Sequence, residues 1–230
     1  MPNQYSLTIK NQTGGFQDYA FFSAPPVVSG AMSGEIWSNV LKSSPSTASG
    51  GRATLDVWPN YFAICGRYDG KPEQGVRVSV SKSVPINLGS KVGDKVVMGS
   101  TTALHVINRE APDLGPPTNP GAGKLGAFQL TTSQGEFTIT EAKNKHIMIG
   151  IANSKNADIF SAMGTFTPYP NSSYQIQPQM VYHVATGARF EVGELVKVEQ
   201  IGATMAVDFN LRGSNNVVLI HNENGGFEFE

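Results

Sequence analysis

The chain has 230 residues, of which 40% are hydrophobic and 15% are charged. This length and apolar content suffice for a packed core, in one large β domain or two small ones. The 17 basic and 18 acidic residues give a formal net charge of −1, which provides no electrostatic attraction to nucleic acid or to an anionic membrane. We expect neither partner, and no transmembrane segment, because no apolar run approaches the ~20 residues that cross a bilayer.

The N-terminal sequence and the cysteine content bear on location. The start, MPNQYSLTIKNQTGG, lacks a basic region followed by an apolar stretch, the usual form of a secretory signal peptide. The single cysteine, Cys65, cannot form an internal disulfide, which agrees with a reducing compartment. We therefore expect a cytoplasmic protein, or one exported without a conventional signal peptide.

Short segments rich in β-branched and aromatic residues, separated by turn residues, dominate the chain and predict strands. In chain order they are YSLTI, ATLDV, YFAIC, GVRVSV, KVVM, ALHVI, FTIT, HIMIGI, YQIQ, MVYHV, VKVEQI, MAVDF, VVLI and FEFE. GEIWSNVLKS has apolar spacing that a helix could also use, but a strand is favoured. Because helices do not alternate with the strands, the pattern predicts an all-β protein, an antiparallel β-sandwich with little or no helix.

The segment QDYAFFSAPP contains two adjacent aromatic residues, Phe21 and Phe22. In a strand their side chains point to opposite faces, so both cannot enter the single interior of a sandwich. Tyr19 and Phe21 are predicted to face the core together. Phe22 is predicted to lie under a loop or at a self-association surface.

Residues 108–126, NREAPDLGPPTNPGAGKLG, contain four prolines and four glycines. This content predicts a long connecting loop rather than a strand or a helix. We interpret the loop as a surface connection between two halves of the sandwich, with a binding loop or a lid as the alternative. Residues 1–230 are predicted to form a single β-sandwich domain, with 108–126 as the boundary if there are two.

Sequence signatures of catalysis and of metal binding are weak. The glycine pairs do not lead into a P-loop, the serines lie in no G-x-S-x-G motif, and the four histidines lack the short spacing of zinc ligands. Cys65 is a candidate nucleophile, but its apolar surroundings favour a buried structural role. We predict no catalytic residues, no metal site and no cofactor, and we favour a protein that is not an enzyme.

The segment LDVWPNYFAICGRYDG places aromatic and polar residues at two turns. Aromatic rings can stack on the apolar faces of a sugar while polar side chains bind its hydroxyl groups. The predicted ligand-binding residues are Trp58 and Asn60 at the first turn and Arg67, Tyr68 and Asp69 at the second, which is preferred because it combines both charge types with a ring. The turns flank one short strand and are expected at its opposite ends. The alternative is that the two rings only pack against the fold.

Three stretches carry a resemblance: LTIKNQTGGFQDYAFFSAPPVV, IWSNVLKSSPSTASGGRATLDVWPNYFAICG and YQIQPQMVYHVATG. They resemble a group of small, uncharacterised β-sandwich proteins found largely in fungi. The resemblance covers most of the chain and implies the sandwich fold but no activity. We predict a non-enzymatic, lectin-like protein whose rim loops bind a glycan or a similar neutral polar ligand. The alternatives are a self-assembling structural, storage or toxin-like protein acting through homo-oligomer contacts, and a small hydrolase.

Overall fold

A computed structural model describes residues 4–154, 160–187, 189–201 and 203–230. Within these ranges the chain is all-β, as predicted, with two short helices, α1 (Ile139–Asn144) and α2 (Phe209–Arg212), and one 3₁₀ turn at Val198–Gln200. No helix in these ranges is long and apolar enough to cross a bilayer. The strands are β1 (Tyr5–Asn11), β2 (Gln17–Ser23), β3 (Val27–Ser29), β4 (Met32–Thr47), β5 (Arg52–Val57), β6 (Tyr61–Tyr68), β7 (Val78–Ile86), β8 (Ser90–Val92), β9 (Lys95–Val97), β10 (Gly99–Ile107), β11 (Ala111–Leu114), β12 (Thr118–Gly123), β13 (Phe128–Thr132), β14 (Ile147–Ser154), β15 (Phe160–Pro168), β16 (Ser173–Gln177), β17 (Val181–Thr186), β18 (Leu195–Val196), β19 (Thr204–Asp208), β20 (Asn216–His221) and β21 (Phe227–Phe229).

These strands form three main sheets and a separate hairpin, β8–β9. The largest sheet has the order β19-β17-β2-β4-β15-β14-β6-β7, with β18 paired to β4. A six-stranded sheet has the order β11-β10-β13-β16-β3, with β12 paired to β10, and a four-stranded sheet has the order β21-β20-β1-β5. Most pairs are antiparallel, but β1–β20 and β10–β13 are parallel. Parallel neighbours need a crossover connection, and both pairs join strands that are distant in the chain.

Side chains from all three main sheets meet in one buried cluster. Ile9 of the four-stranded sheet, Leu130 of the six-stranded sheet and Ile149 of the nine-stranded sheet all belong to it, and each is 0% exposed. The cluster draws on strands before and after residues 108–126. Removal of this apolar surface from water is the main term that stabilises such a fold.

The nine-stranded sheet is covered on its second face as well. Phe21 lies in the central cluster, whereas Phe22 packs with Val40 and Ile201 in a separate cluster, and both rings are 0% exposed. The Phe22 ring also stacks on His183, with centroids 5.3 Å apart and an interplanar angle of 6°. The prediction that Phe21 faces the core is confirmed. Of the two positions predicted for Phe22, under a loop or at a self-association surface, the structure agrees with the first, because residues of the same chain bury the ring.

Two strand predictions were wrong. In FTIT, Thr138 caps α1: the Glu141 N–H donates to its hydroxyl at 3.1 Å, and its own N–H donates to the Glu141 carboxylate at 2.7 Å. This reciprocal capping box satisfies backbone donors that a strand would have placed in a ladder. VKVEQI also departs from a strand, because only its first residue lies in β18 and Val198–Gln200 form the 3₁₀ turn.

The prediction of a loop throughout residues 108–126 was also wrong. Two strands form there, β11 and β12, and both pair antiparallel with β10. Pro112 lies opposite Val106 in this pairing. Proline is tolerated because β11 is at the edge of its sheet, where one side of the strand needs no ladder donor.

Candidate ligand-binding site

Strand β6 is the element that positions both predicted turns. It lies between β14 and β7 in the nine-stranded sheet, and the first turn precedes it while the second forms its end. Eight residues of strand span roughly 25 Å at about 3.3 Å per residue. The expectation that the two turns lie at opposite ends of one strand is confirmed, so the five predicted residues do not form one site together.

At the second turn, the protein itself engages the three predicted side chains. Tyr68 is 2% exposed and packs on the second face of the nine-stranded sheet, where burial raises the pKa of its hydroxyl. The Arg67 guanidinium donates to the Glu110 carbonyl oxygen at 2.6 Å and lies 3.6 Å from the Glu110 carboxylate. Asp69 accepts a hydrogen bond from the Ser79 hydroxyl at 2.6 Å. The three groups contact different parts of the protein and do not converge on a common cavity.

At the first turn, Trp58 is half-buried and Asn60 is exposed. The residues that alternate with them, Pro59 and Tyr61, line a cleft of about 580 Å³. We call it the neutral cleft, because its lining residues carry no formal charge. They are Pro59, Tyr61, Ile86, Asn87, Leu88, Ser90, Val97, Met98, Asn119 and Pro120.

A hydrogen-bond network fixes one amide of the neutral cleft. The buried Ser100 hydroxyl donates to Asn119 Oδ1 and accepts from the Asn87 N–H at 2.7 Å. Asn87 Nδ2 donates to the same Asn119 oxygen at 3.4 Å. The Asn119 oxygen is therefore occupied, while its Nδ2 has no protein acceptor among the residues the structure describes. That nitrogen can donate to a ligand.

A second cleft, also of about 580 Å³, begins just after the second turn. Its lining includes two lysines and a histidine but no aspartate or glutamate, and we call it the basic cleft. Ser33 and Thr167 are opposite each other in the β4–β15 pair, and so they hold fixed positions on the strands. The lining residues are Ser33, Gly34, Lys71, Pro72, Lys143, Asn144, His146 and Thr167.

Sequence reasoning missed the basic cleft. Lys71 follows the predicted second turn, but Lys143 lies at the end of α1, His146 in the α1–β14 connection, and Ser33 near the start of β4. His146 has a left-handed backbone, with φ of 54°, and its N–H donates to the Lys143 carbonyl oxygen at 3.2 Å, which turns the chain from helix into strand. No spacing along the chain marks residues that only the β4–β15 and β6–β14 pairings bring together.

Cys65 lies in β6, between the two clefts, and is 0% exposed. Burial raises the pKa of its thiol to about 12. A nucleophilic cysteine reacts as the thiolate, which this site disfavours. Within the described ranges, no group of three or more His, Cys, Asp or Glu side chains is arranged to hold a metal ion.

The two clefts are thus equal in volume and different in charge, and each adjoins one end of β6. Comparison with protein-family models, with curated proteins and with solved structures found no match.

Proposed function

We propose that this protein is a non-enzymatic, lectin-like binding protein that recognises a glycan or a similar neutral polar ligand in the neutral cleft. The observation that carries the proposal is the lining of this cleft, which combines apolar side chains with amide and hydroxyl groups and has no charged group. A neutral sugar has the complementary surface, with apolar C–H faces and hydroxyl groups. The volume, about 580 Å³, lies in the range of small-molecule sites.

The apolar wall supplies the surface that a ligand would cover. Val97 and Met98 are each 39% exposed, so binding would remove apolar area from water and stabilise the complex. Tyr61 is 9% exposed, which makes its ring part of the floor rather than an open stacking platform. Val97 of the hairpin β8–β9 therefore exposes more apolar surface to the cleft than Tyr61 does.

The polar groups of the cleft are amides and a hydroxyl, contributed by Asn87, Asn119 and Ser90. Such groups lose less hydration free energy on ligand binding than charged groups do. Their arrangement therefore suits hydroxyl groups better than a charged ligand. Trp58 and Asn60 are adjacent to Pro59 at the rim, and their part in binding remains a prediction.

A glycan array of uncharged oligosaccharides, followed by calorimetry with the strongest hit, tests the proposal. Val97→Asp places a carboxylate in the cleft and is expected to weaken binding about tenfold or more, because the ligand would have to desolvate a charge. Val96→Asp is the matched control. Val96 is the neighbouring residue of the same strand and faces away from the cleft, at 49% exposure.

Retained binding by the control and loss by Val97→Asp would support the proposal. An array without hits would contradict it. Equal losses in the two variants would also contradict it, because they would show that the cleft is not the binding site.

Homo-oligomerisation is a second candidate function, favoured by the exposed apolar side chains of the hairpin β8–β9. Val92 is 66% exposed and lies on the same face of the hairpin as Val97, which is 39% exposed. Contiguous apolar surface of this kind often marks a contact between proteins. Sedimentation velocity at two protein concentrations is expected to show a larger species at the higher one, reduced by Val92→Asp. A monomer at both concentrations would contradict this candidate.

A further inference from the structure

We propose that the basic cleft is a second binding site, which takes the phosphate or sulfate group of a small anionic ligand. The inference is independent of the proposed function, because it uses other residues at the other end of β6. Its ligand class follows from the charges and the hydrogen-bond donors that line the cleft.

The basic cleft carries two lysines without ion-pair partners among the described residues. Lys71 and Lys143 line the cleft, and neither forms an ion pair within the described part of the chain. Lys145, two residues from Lys143, is instead paired with Glu110 at 2.7 Å and lowers the pKa of that carboxyl. Arg67 lies 3.6 Å from the same carboxylate. Neighbouring cations are thus paired, while the two ammonium groups at the cleft are left available for an external anion.

Three carboxylates close in sequence to residues that line the cleft have other partners. Glu35, beside Gly34, lies 2.6 Å from Lys197 Nζ. Asp69, two residues before Lys71, accepts from Ser79, and Glu141 accepts from Thr138 at the start of α1. The lining of the cleft itself contains no aspartate or glutamate.

Hydroxyl, amide and imidazole groups line the basic cleft beside the lysines. Ser33 and Thr167, which line the cleft, are 9% and 6% exposed and so lie at buried strand positions. The exposed amide of Asn144 and the half-buried imidazole of His146 are at the α1–β14 turn. Phosphate and sulfate oxygens accept several hydrogen bonds at once, and ammonium groups bind them as point charges.

The volume indicates a ligand larger than a free inorganic anion. A cleft of about 580 Å³ matches the size of sites that hold small organic molecules. Pro72 and the backbone of Gly34 supply uncharged surface next to the charged groups. The site therefore fits a phosphate or sulfate ester of a small polar molecule better than inorganic phosphate alone.

Calorimetric titration of the full chain with inorganic phosphate, inorganic sulfate and glucose 6-phosphate tests the inference, with glucose as the uncharged control. We expect glucose 6-phosphate to bind at millimolar concentrations or tighter, and more tightly than either inorganic anion. Sulfate stronger than phosphate would assign the site to sulfate esters, and the reverse order would assign it to phosphate esters.

The double variant Lys71→Glu, Lys143→Glu is expected to weaken glucose 6-phosphate binding about tenfold or more, because two attractive charges become repulsive. Lys91→Glu, Lys95→Glu is the matched control. It changes the net charge equally at exposed residues of the hairpin β8–β9, which lie outside the basic cleft. All four substituted lysines are exposed. Thermal unfolding of each double variant checks that the fold is retained.

Absence of binding by all three anions at millimolar concentrations would overturn the inference. Equal loss in the two double variants would also overturn it, because that result would indicate attraction by net charge alone. Neither result bears on the neutral cleft, whose test is the separate comparison of Val97→Asp with Val96→Asp.

Discussion

The two ends of strand β6 offer clefts of the same volume, about 580 Å³ each, with different chemistry. At the N-terminal end, amides and apolar side chains form a wall without charge. At the C-terminal end, two lysines without ion-pair partners in the described ranges lie beside buried hydroxyls. The difference shows that residue type alone does not identify a binding group. What matters is which groups remain without partners after folding.

The second turn illustrates this point. Arg67, Tyr68 and Asp69 have the composition of a sugar site, but the fold buries the ring, places Arg67 beside Glu110 and gives Asp69 a hydrogen bond from Ser79. Lys71 follows Asp69 by two residues and was not predicted to bind a ligand, but it lines the basic cleft. Burial of a large aromatic side chain removes a large apolar area from water. An aromatic residue such as Tyr68 is therefore favoured in the interior rather than at the surface.

The largest effect is expected from a change in the strand that separates the clefts. A Cβ added at Gly66 would lie 2.0 Å from the Ser79 carbonyl oxygen, so Gly66→Ala must displace β7 from β6. We expect the free energy of unfolding to fall by about 1–3 kcal/mol, and binding at both clefts to weaken. Denaturant unfolding and calorimetry measure the two effects.

Gly15→Ala is the control for that change, because a Cβ there meets no atom within 4 Å. Its unfolding free energy should stay within about 0.5 kcal/mol of the original protein. Gly66→Ala as stable as this control would contradict the requirement for a glycine where β6 approaches β7 at Ser79.

A pair of amide truncations separates the clefts. Asn119→Ala removes the acceptor of the buried Ser100 hydroxyl, so we expect a loss of about 1–2 kcal/mol in unfolding free energy and weaker binding of the neutral glycan. Asn144→Ala removes an exposed amide at the basic cleft and should weaken only anion binding, with little effect on stability. Thermal unfolding and calorimetry distinguish the two variants. Loss of only anion binding in Asn119→Ala and of only glycan binding in Asn144→Ala would contradict the assignment of ligands to the two clefts.

The smallest expected effect is that of salt. Raising sodium chloride from low to high concentration should weaken anion binding at the basic cleft about fivefold, because mobile ions screen exposed lysines. Glycan binding at the neutral cleft should change less than about twofold, since its lining has no charge to screen. Calorimetry at several salt concentrations measures both, and equal salt dependence would show that the clefts do not differ in charge.

The strand content of the fold was predictable because it depends on local pattern. Alternation of apolar and polar residues located most strands, including β4, and placed Phe21 and Phe22 on opposite faces. The helix α1 was missed, although Thr138 and Glu141 have the spacing of a capping box. That signal was present in the sequence, and the apolar alternation of FTIT obscured it.

The candidate sites were less predictable because they depend on long-range pairing. The first turn and residues 108–126 were both singled out, but their meeting at Asn119 and Pro120 follows from the pairing of β12 with β10. The prolines and glycines of residues 108–126 predicted a loop, because these residue types are usual in loops, and so the strand pairing was not predicted. The basic cleft has no signal in the linear sequence, because residues far apart in the chain supply its charges and hydroxyls: Lys71 after β6, Lys143 at the end of α1, and Ser33 and Thr167 on β4 and β15.

The most direct test is amide chemical-shift mapping of one labelled sample, titrated separately with the strongest neutral glycan and with glucose 6-phosphate. We predict that the glycan shifts signals of residues such as Asn87 and Val97, and that glucose 6-phosphate shifts those of Lys71 and Asn144, with no residue common to both sets. Shifts of the same residues by both ligands would contradict the presence of two chemically distinct clefts at the ends of β6.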